Sequence, residues 1–271
     1  MRQYSNLLIF IFILIGCEKV IDLDLEFTEK RIVIDAKINK HINSDDGFAK
    51  VIISETTSYF EEEIIFVENA TVIIKEIGTN IEHKLNFSKE NHYYIEIKNI
   101  SKKTTYELNI FHDNNHYQSR NIMRSSPPIT DIQQGERESL NEEEIEIITS
   151  FKDIKNDDNY YLFEFGKGNL QPADDIYIDG NEFAFSYFIN KNKIINNELE
   201  IKMEGIDFQY FKFIIQIIIQ TNTQNGPFAA PPTSIKGNIF CVNNEKSNPF
   251  GYFKVCEYDT FVLKEININW F

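Results

Sequence analysis

A period of two residues runs through the stretch Arg31-Ile32-Val33-Ile34-Asp35-Ala36-Lys37-Ile38. Its even-numbered side chains are all apolar, whereas the charged Asp35 and Lys37 fall between them. Strict alternation of this kind is typical of a β-strand with one face in the core and the other in water. Residues 31–38 therefore predict the first strand of a sheet.

Short runs of the same character follow at the spacing typical of a β-sandwich. They are Phe48–Thr56, Ala70–Ile77, Ile81–Phe87, Tyr93–Ile97, Thr105–His112 and His116–Ile122. Segments rich in Asn, Asp and Gly separate them, at 43–47, 78–80 and 113–115, and these residues favour turns. Residues 30–126 are therefore predicted to form a β-sandwich domain.

A break in the pattern occurs at Ser125-Ser126-Pro127-Pro128, because proline cannot donate a ladder hydrogen bond and restricts the residue before it. We place a domain boundary there, with a second β-rich domain over residues 127–271. Its predicted strands are Glu144–Phe151, Tyr160–Phe165, Glu182–Ile189 and Leu199–Met203. The acidic stretch 136–146 predicts a solvated connection or a strand edge.

One helix is predicted over residues 207–220. Its polar residues recur at helical spacing, with Asp207 as the N-cap: Gln209, Lys212, Gln216 and Gln220. A buried strand is the alternative, because β-branched isoleucines fill the positions between. A last hairpin, Gly237–Val242 with Gly251–Leu263, completes a mainly β fold.

The N-terminus has the pattern of an export signal. Residues 1–6 are polar, and Leu7–Ile15 is an apolar run that reaches only ~14 Å as a helix, too short to span a bilayer. Leu14-Ile15-Gly16-Cys17 resembles a bacterial lipobox, which predicts a signal peptide over 1–16, acylation of Cys17 and a lipid-anchored linker over 17–29. A signal peptide cleaved elsewhere and an ordinary buried cysteine are the alternatives.

The net charge of the chain excludes one class of function. The chain carries 42 acidic and 27 basic side chains, a net charge of −15, which argues against a nucleic-acid binder.

Besides Cys17, the chain has two cysteines, Cys241 and Cys256. In an exported protein two such cysteines predict a disulfide, with two free buried thiols as the alternative.

The order of motifs resembles the Bacteroidetes lipoprotein family called domain of unknown function 4249. The motifs are Cys17 leading into 18–25, Arg31–Ala36, Asn69–Ile74, Tyr93–Ile95, Thr105–Leu108, Asn159–Tyr161, Gly226–Phe228, Gly237–Ile239 and Asn248–Phe253. The resemblance implies an Ig-like or transthyretin-like first domain and an outer-membrane lipoprotein, often encoded beside a TonB-dependent receptor. It supplies no catalytic residues, and the turn glycines before the Tyr93 and Thr105 strands are missing here.

Several polar groups are weaker candidates for chemistry. His112 and His116 flank a turn and could share a metal, but ordinary polar side chains at an exposed turn are favoured, since structural zinc takes four ligands. Two acidic groups could bind Ca²⁺ but lack the spacing of a known loop, and solvated loops are favoured: Asp153, Asp157 and Asp158; Asp174, Asp175 and Asp179. A glycosidase needs two carboxylates at a set distance in a cleft, and the run Glu61–Glu63 does not establish one. Trp270 is expected to pack in the core.

We predict no metal, no cofactor and no enzymatic activity, since no catalytic motif is found. Tyr59, Phe60 and Phe228 fall in loop-like stretches and are the candidate binding surface. The leading hypothesis is a binding or accessory module of a TonB-dependent uptake system. A structural or adhesive envelope protein is the alternative, and a glycan-acting enzyme is a third.

Overall fold

The computed structural model describes residues 30–57, 63–222 and 234–268. Several sequence predictions therefore lie outside the described residues: the signal peptide 1–16, Cys17, the linker 17–29, Tyr59, Phe60, Phe228 and Trp270. Within the described part of the chain, strands form three sheets, and the mainly β prediction is confirmed. No helix in that part is long and apolar enough to cross a membrane.

The largest sheet, called here the long sheet, has nine strands in the order β13-β12-β15-β17-β1-β2-β7-β6, with β3 on β2. Their bounds are β1 (Ile32–His41), β2 (Gly47–Glu55), β3 (Ile65–Phe66), β6 (Asn86–Ser88), β7 (His92–Ile97), β12 (Tyr160–Phe165), β13 (Leu170–Asp174), β15 (Leu199–Ile206) and β17 (Phe250–Leu263).

Two smaller sheets complete the fold. The five-stranded sheet runs in the order β16-β9-β8-β4-β5, and the three-stranded sheet in the order β10-β11-β14. Their bounds are β4 (Thr71–Glu76), β5 (Glu82–Lys84), β8 (Thr105–His112), β9 (Asn115–Ile122), β16 (Phe240–Cys241); and β10 (Ile129–Gln134), β11 (Glu144–Lys152), β14 (Glu182–Asn190).

The last strand, β17, joins the two halves of the long sheet. Residues 250–258 pair in parallel with β1, and residues 258–263 pair antiparallel with β15. At the start of β17, Gly251 has a positive φ of 111°, and an added Cβ would lie 1.9 Å from the Ile34 carbonyl oxygen. Only glycine fits this close approach of two backbones.

Both smaller sheets pack on the same face of the long sheet. The first core lies against the five-stranded sheet and includes Ile34, Ile38, Phe253 and Val255. The second lies against the three-stranded sheet and includes residues of β12 and β15 such as Phe163. Alternation along β17 brings its odd-numbered side chains to this face, so one strand supplies apolar contacts to both cores.

The predicted helix is present as α1 (Phe208–Asn222), and the alternative of a buried strand is excluded. Asp207 is its N-cap, since its Oδ1 accepts a hydrogen bond from the Tyr210 backbone N–H at 2.8 Å. The helix packs on the opposite face of the long sheet, where Ile214 meets Leu162 and Ile206.

The predicted division of the chain at residue 127 needs correction. The segment from Met123 to Ile129 leads from the five-stranded to the three-stranded sheet, but Arg124 and Ile129 bond to β17 on the way. Beyond it, Ile239, Cys241, Phe253 and Val255 belong to the first core. The C-terminal strands thus complete the first sandwich, because β17 pairs with β1 and contributes side chains to the first core.

The predicted C-terminal hairpin is wrong. β16 pairs with β9 in the five-stranded sheet, whereas β17 lies in the long sheet. The two segments are tied by a side chain instead: Asn238 donates to the Phe253 carbonyl and accepts from its N–H, both at 2.8 Å. The Asn238 side-chain amide thus forms the same pair of hydrogen bonds with Phe253 that a neighbouring strand would form.

Most predicted strands match within one or two residues, and β8 and β12 match fully. The sequence did not predict β3, β10 and β13. β3 has only two residues, and β13 is an edge strand that contains Pro172, so neither shows an apolar period.

Candidate functional site

A row of three lysines crosses the face of the long sheet that the smaller sheets leave open. Lys37 of β1 lies opposite Lys50 of β2 and opposite Lys254 of β17. Paired residues of neighbouring strands share one face of a sheet, so the three side chains stand side by side. We call Lys50, Lys37 and Lys254 the lysine row. Like charges placed opposite each other destabilise a sheet, which makes the row an unusual feature of an acidic chain.

One buried carboxylate neutralises part of this charge. Glu204 of β15 forms ion pairs with Lys254 and with Lys202, the latter at 2.5 Å. Asn39 donates a third hydrogen bond to Glu204 at 2.6 Å. These three donors fix the Glu204 side chain and tie β15, β17 and β1 together behind the row.

The charges at this site shift each other's pKa. Burial opposes ionisation of Glu204, but Lys254 and Lys202 outweigh it and hold its pKa well below the usual range. Burial also disfavours charge on Lys254, yet Glu204 holds the pKa of this lysine well above its usual value. For Lys37, burial and then the neighbouring Lys202 and Lys254 lower the pKa.

Lys37 and Lys50 are the accessible members of the row. Both are half-buried, whereas Lys254 is 8% exposed. Among the described residues, the ion pairs of this face engage Lys254 and Lys202 and leave the Lys37 and Lys50 ammonium groups without a carboxylate partner. The face thus presents two cations in a setting where a bound anion would relieve repulsion.

Aromatic rings frame the lysine row. Tyr94 lies opposite Lys50 and stacks on Phe48, with ring centroids 5.8 Å apart. Lys202 lies over the Tyr258 ring at 4.6 Å, and Lys254 faces the Tyr210 ring at 5.1 Å. Flat rings beside cations favour an anionic ligand that also has an apolar or ring-shaped body.

The two histidines that flank the turn at 113–115 do not face each other. His116 lies opposite Phe111, and His112 lies opposite Asn115, so the imidazoles point to opposite faces of the five-stranded sheet. His116 stacks on Phe111 and its Nε2 is 2.8 Å from the Asn109 side chain. Over the described residues, no group of three or more His, Cys, Asp or Glu side chains is placed to hold a metal.

The two acidic groups come together, but as ties between loops. Asp153 accepts hydrogen bonds from the Tyr161 hydroxyl and from the Gly180 N–H. Asp175 accepts from the Asn159 N–H at 2.8 Å, and Asp179 accepts from the backbone of 156. Their oxygens therefore hold the loops 153–159 and 174–181 together, as carboxylates that cap turns do.

The predicted disulfide between Cys241 and Cys256 is absent: both residues are buried free thiols. Cys241 lies in the five-stranded sheet and contributes to the first core. Cys256 lies on the opposite face of the long sheet, where its Sγ is 3.7 Å from Asn39 Oδ1. The body of the long sheet therefore separates the two sulfur atoms.

Other buried carboxylates are also held by partners. Glu146 pairs with Arg137, Glu107 with Arg120, and Glu257 with both Lys40 and Lys102. Burial alone would raise the pKa of each, but the hydrogen bonds and opposite charges lower it. These shifts are opposite to the raised pKa that a general acid needs.

Sequence reasoning missed this site because no motif marks it. Lys37 lies on the polar face of the first strand both in the sequence pattern and in the structure. Nothing local to the sequence aligns it with Lys254, which is more than 200 residues away in the chain. The only available signal was lysine at the polar positions of three predicted strands.

Comparison with known proteins places the chain in one family. Residues 18–261 match the family model described as "Domain of unknown function (DUF4249)". No curated protein matches the sequence significantly.

Two solved structures show a weak likeness. A DUF4785 family protein from Legionella pneumophila subsp. pneumophila str. Philadelphia 1 is 11% identical with a TM-score of 0.23, and the match covers 68% of this chain. The chicken CNTN1 FN1–FN3 domains are 12% identical with a TM-score of 0.22 over 64% of this chain. This chain spans only 54% and 57% of those structures.

Proposed function

The chain belongs to the DUF4249 family, and we propose that it is a lipid-anchored binding module that serves a TonB-dependent receptor of the outer membrane. The lysine row carries this proposal. It offers two accessible cations, a fixed counter-ion network and flanking aromatic rings on the face of the long sheet that α1 covers in part. This arrangement suits an anionic ligand, such as a nutrient with phosphate, sulfate or carboxylate groups.

The location part of the proposal rests on the sequence. The lipobox at Cys17 would tether the protein to the bilayer, and the segment 18–29 would link the anchor to β1. Two partners confined to one membrane have a high effective concentration, so weak contacts suffice to hold module and receptor together. Tyr59, Phe60 and Phe228 remain the residues proposed for that contact, because aromatic side chains concentrate in interfaces.

We also propose that the protein binds and does not catalyse. The buried carboxylates around the lysine row and in both sandwiches stay ionised and paired, which supports a structural role for them. A binding module needs a preformed surface, and the Glu204 network supplies rigidity beneath the two accessible lysines.

Ligand binding is tested by isothermal titration of the purified protein with a sulfated oligosaccharide and with inorganic pyrophosphate. Lys37→Gln with Lys50→Gln should weaken binding of the preferred anion by ~10-fold or more, since two charge-assisted contacts are lost. The control is Lys84→Gln with Lys103→Gln, which removes equal charge from elsewhere and should change affinity less than ~2-fold. Equal losses in both variants would mean that net charge, and not the row, governs binding.

The receptor part is tested separately, by co-purification of the tagged protein from detergent-solubilised outer membranes across a salt series. A TonB-dependent receptor should be retained at low salt and lost as salt screens the contact. Alanine at Tyr59, Phe60 or Phe228 should reduce its recovery. If no receptor is retained at low salt and no anion binds, the structural-envelope hypothesis takes over.

A further inference from the structure

The strand β14 (Glu182–Asn190) is an edge of the three-stranded sheet and differs from the other sheet edges in the described chain. It has nine residues, whereas the edge strands β5, β6 and β16 have two or three. Among the longer edges, β13 contains Pro172, and β10 has a register shift between Ile129 and Asp131. Short strands, proline and bulges are the usual protections against unwanted pairing, and β14 has none of them.

The open side of β14 can be assigned from its hydrogen bonds. Just beyond its two ends, Lys191 N–H bonds to the Glu143 carbonyl and Asp153 N–H bonds to the Asn181 carbonyl. Bonded pairs alternate in an antiparallel ladder, so the odd-numbered residues of β14 bond to β11. The even-numbered residues direct their N–H and C=O groups away from the sheet: Glu182, Ala184, Ser186, Phe188 and Asn190.

The side chains beside this open edge are aromatic. Phe183, Phe185 and Tyr187 face the second core, where Phe163 and Phe165 pack behind them. Phe183 is still 38% exposed, and Phe185 and Tyr187 are only half-buried. A strand added beside β14 would cover this row with every second side chain, as the core strands do.

We propose that β14 accepts an extended segment of a partner protein as an added antiparallel strand. The segment alternates apolar side chains, which cover the aromatic row, with basic side chains, which face outward. The basic character follows from the net charge of −15 of the chain, since the charges beside β14 balance each other: Glu182 lies opposite Lys152, and Arg137 pairs with Glu146. The same net charge opposes pairing with a second copy of this chain.

This site is separate from the lysine row. It lies on the three-stranded sheet, on the other side of the long sheet, and it engages a polypeptide instead of a small anion. Backbone hydrogen bonds would give affinity, and the alternating pockets would give register, as in other cases of strand addition. Failure of the lysine-row proposal would therefore leave this one standing.

A matched pair of variants isolates the backbone contact. Ser186→Pro removes an N–H that points to the open side, and Ser186→Ala retains that N–H. Both variants lose the hydrogen bond between Ser186 Oγ and Arg137, so that loss cancels in the comparison. Thermal unfolding of the full-length chain in detergent verifies that both variants fold.

The probe is a fluorescent nine-residue peptide that alternates lysine and valine, and its binding is followed by anisotropy. The wild type and Ser186→Ala should bind it with similar affinity, and Ser186→Pro should bind ~10-fold or more weakly. A peptide that alternates glutamate and valine should bind more weakly than the lysine peptide. Equal binding by the Pro and Ala variants, or no preference between peptides, would overturn the proposal.

Hydrogen exchange of the full-length protein without peptide gives an independent check. The amides of Ala184, Ser186 and Phe188 should exchange freely, while those of Phe185 and Tyr187 should be slowed ~100-fold or more by the β11 ladder. Protection of the even-numbered amides in the protein alone would show that its own chain or a second copy already covers this edge. That result would overturn the proposal of a partner segment.

Discussion

Lys37 of β1 lies directly opposite Lys254 of the parallel strand β17, although both side chains carry positive charge. Glu204 forms an ion pair with Lys254 and so neutralises one of the two positive charges. Lys37 keeps its charge at a cost in stability: burial first, and then the nearby Lys202 and Lys254, lower its pKa. A charged side chain that lowers the stability of the folded protein is a candidate for a role in binding.

The first prediction follows from this cost. Lys37→Gln should raise the free energy of unfolding at pH 7 by ~0.5–1 kcal/mol, because it removes a charge that burial and two neighbouring lysines disfavour. The pKa of Lys37 is lower in the folded state than the ordinary 10.5, so the penalty is complete at neutral pH. It disappears as pH rises through the folded pKa towards 10.5, and the wild type and variant should converge there.

Urea unfolding at pH 7 and near pH 10 measures this difference. Lys84→Gln is the control, because Lys84 lies opposite the uncharged Ile73 in the five-stranded sheet. A Lys37→Gln protein that is less stable than the wild type at pH 7 would contradict the proposed cost of this charge.

The second prediction concerns the counter-ion. Glu204→Gln leaves Lys254 and Lys202 without a carboxylate, and breaking a buried ion pair costs ~3–5 kcal/mol. Glu200 lies on the same strand but is exposed, so Glu200→Gln should change the free energy of unfolding by less than ~0.5 kcal/mol. Chemical denaturation of both variants compares them, and similar losses would argue against the Glu204 network.

The third prediction concerns α1. Ile214 is buried against Leu162 and Ile206, so Ile214→Asp should place an unpaired carboxylate in that core and destabilise by ~3 kcal/mol or more. Gln216 is exposed on the helix, and Gln216→Ala should change little. Thermal unfolding followed by circular dichroism measures both, and equal effects would mean that Ile214 is not in the core.

The fourth prediction concerns the thiols. Burial raises the pKa of Cys256 to about 12, and the Glu204 charge adds to the effect. Since the thiolate is the reactive form, Cys256 should resist iodoacetamide in the native protein and react after unfolding. Intact-mass measurement should find Cys241 and Cys256 both free. A linked peptide under non-reducing conditions would instead restore the disulfide predicted from the sequence.

The fifth prediction concerns the anchor. If Cys17 is the lipobox cysteine, Cys17→Ala should abolish incorporation of radiolabelled palmitate and release the protein from the membrane fraction. Cys241→Ala is the control, because that thiol is buried in the first core and should not affect labelling. Unchanged labelling of Cys17→Ala would reject acylation at this position.

The local elements follow from the sequence alone. Alternation through 31–38 and similar runs located most strands, and the 3-4-4 spacing after Asp207 located α1. The order of short motifs also identified the family, which the match over residues 18–261 confirms. These features are encoded within about ten residues, because backbone geometry fixes which side chains share a face.

The pairing of strands that are distant in the sequence depends on tertiary structure. The parallel pairing of β1 with β17 joins residues more than 200 positions apart, and no period in either strand specifies it. That pairing merges the two predicted domains into one sheet, aligns Lys37 with Lys254, and separates Cys241 from Cys256. Strand partners are chosen by the burial of whole faces and by close fits such as Gly251 against Ile34, which are properties of the assembled chain.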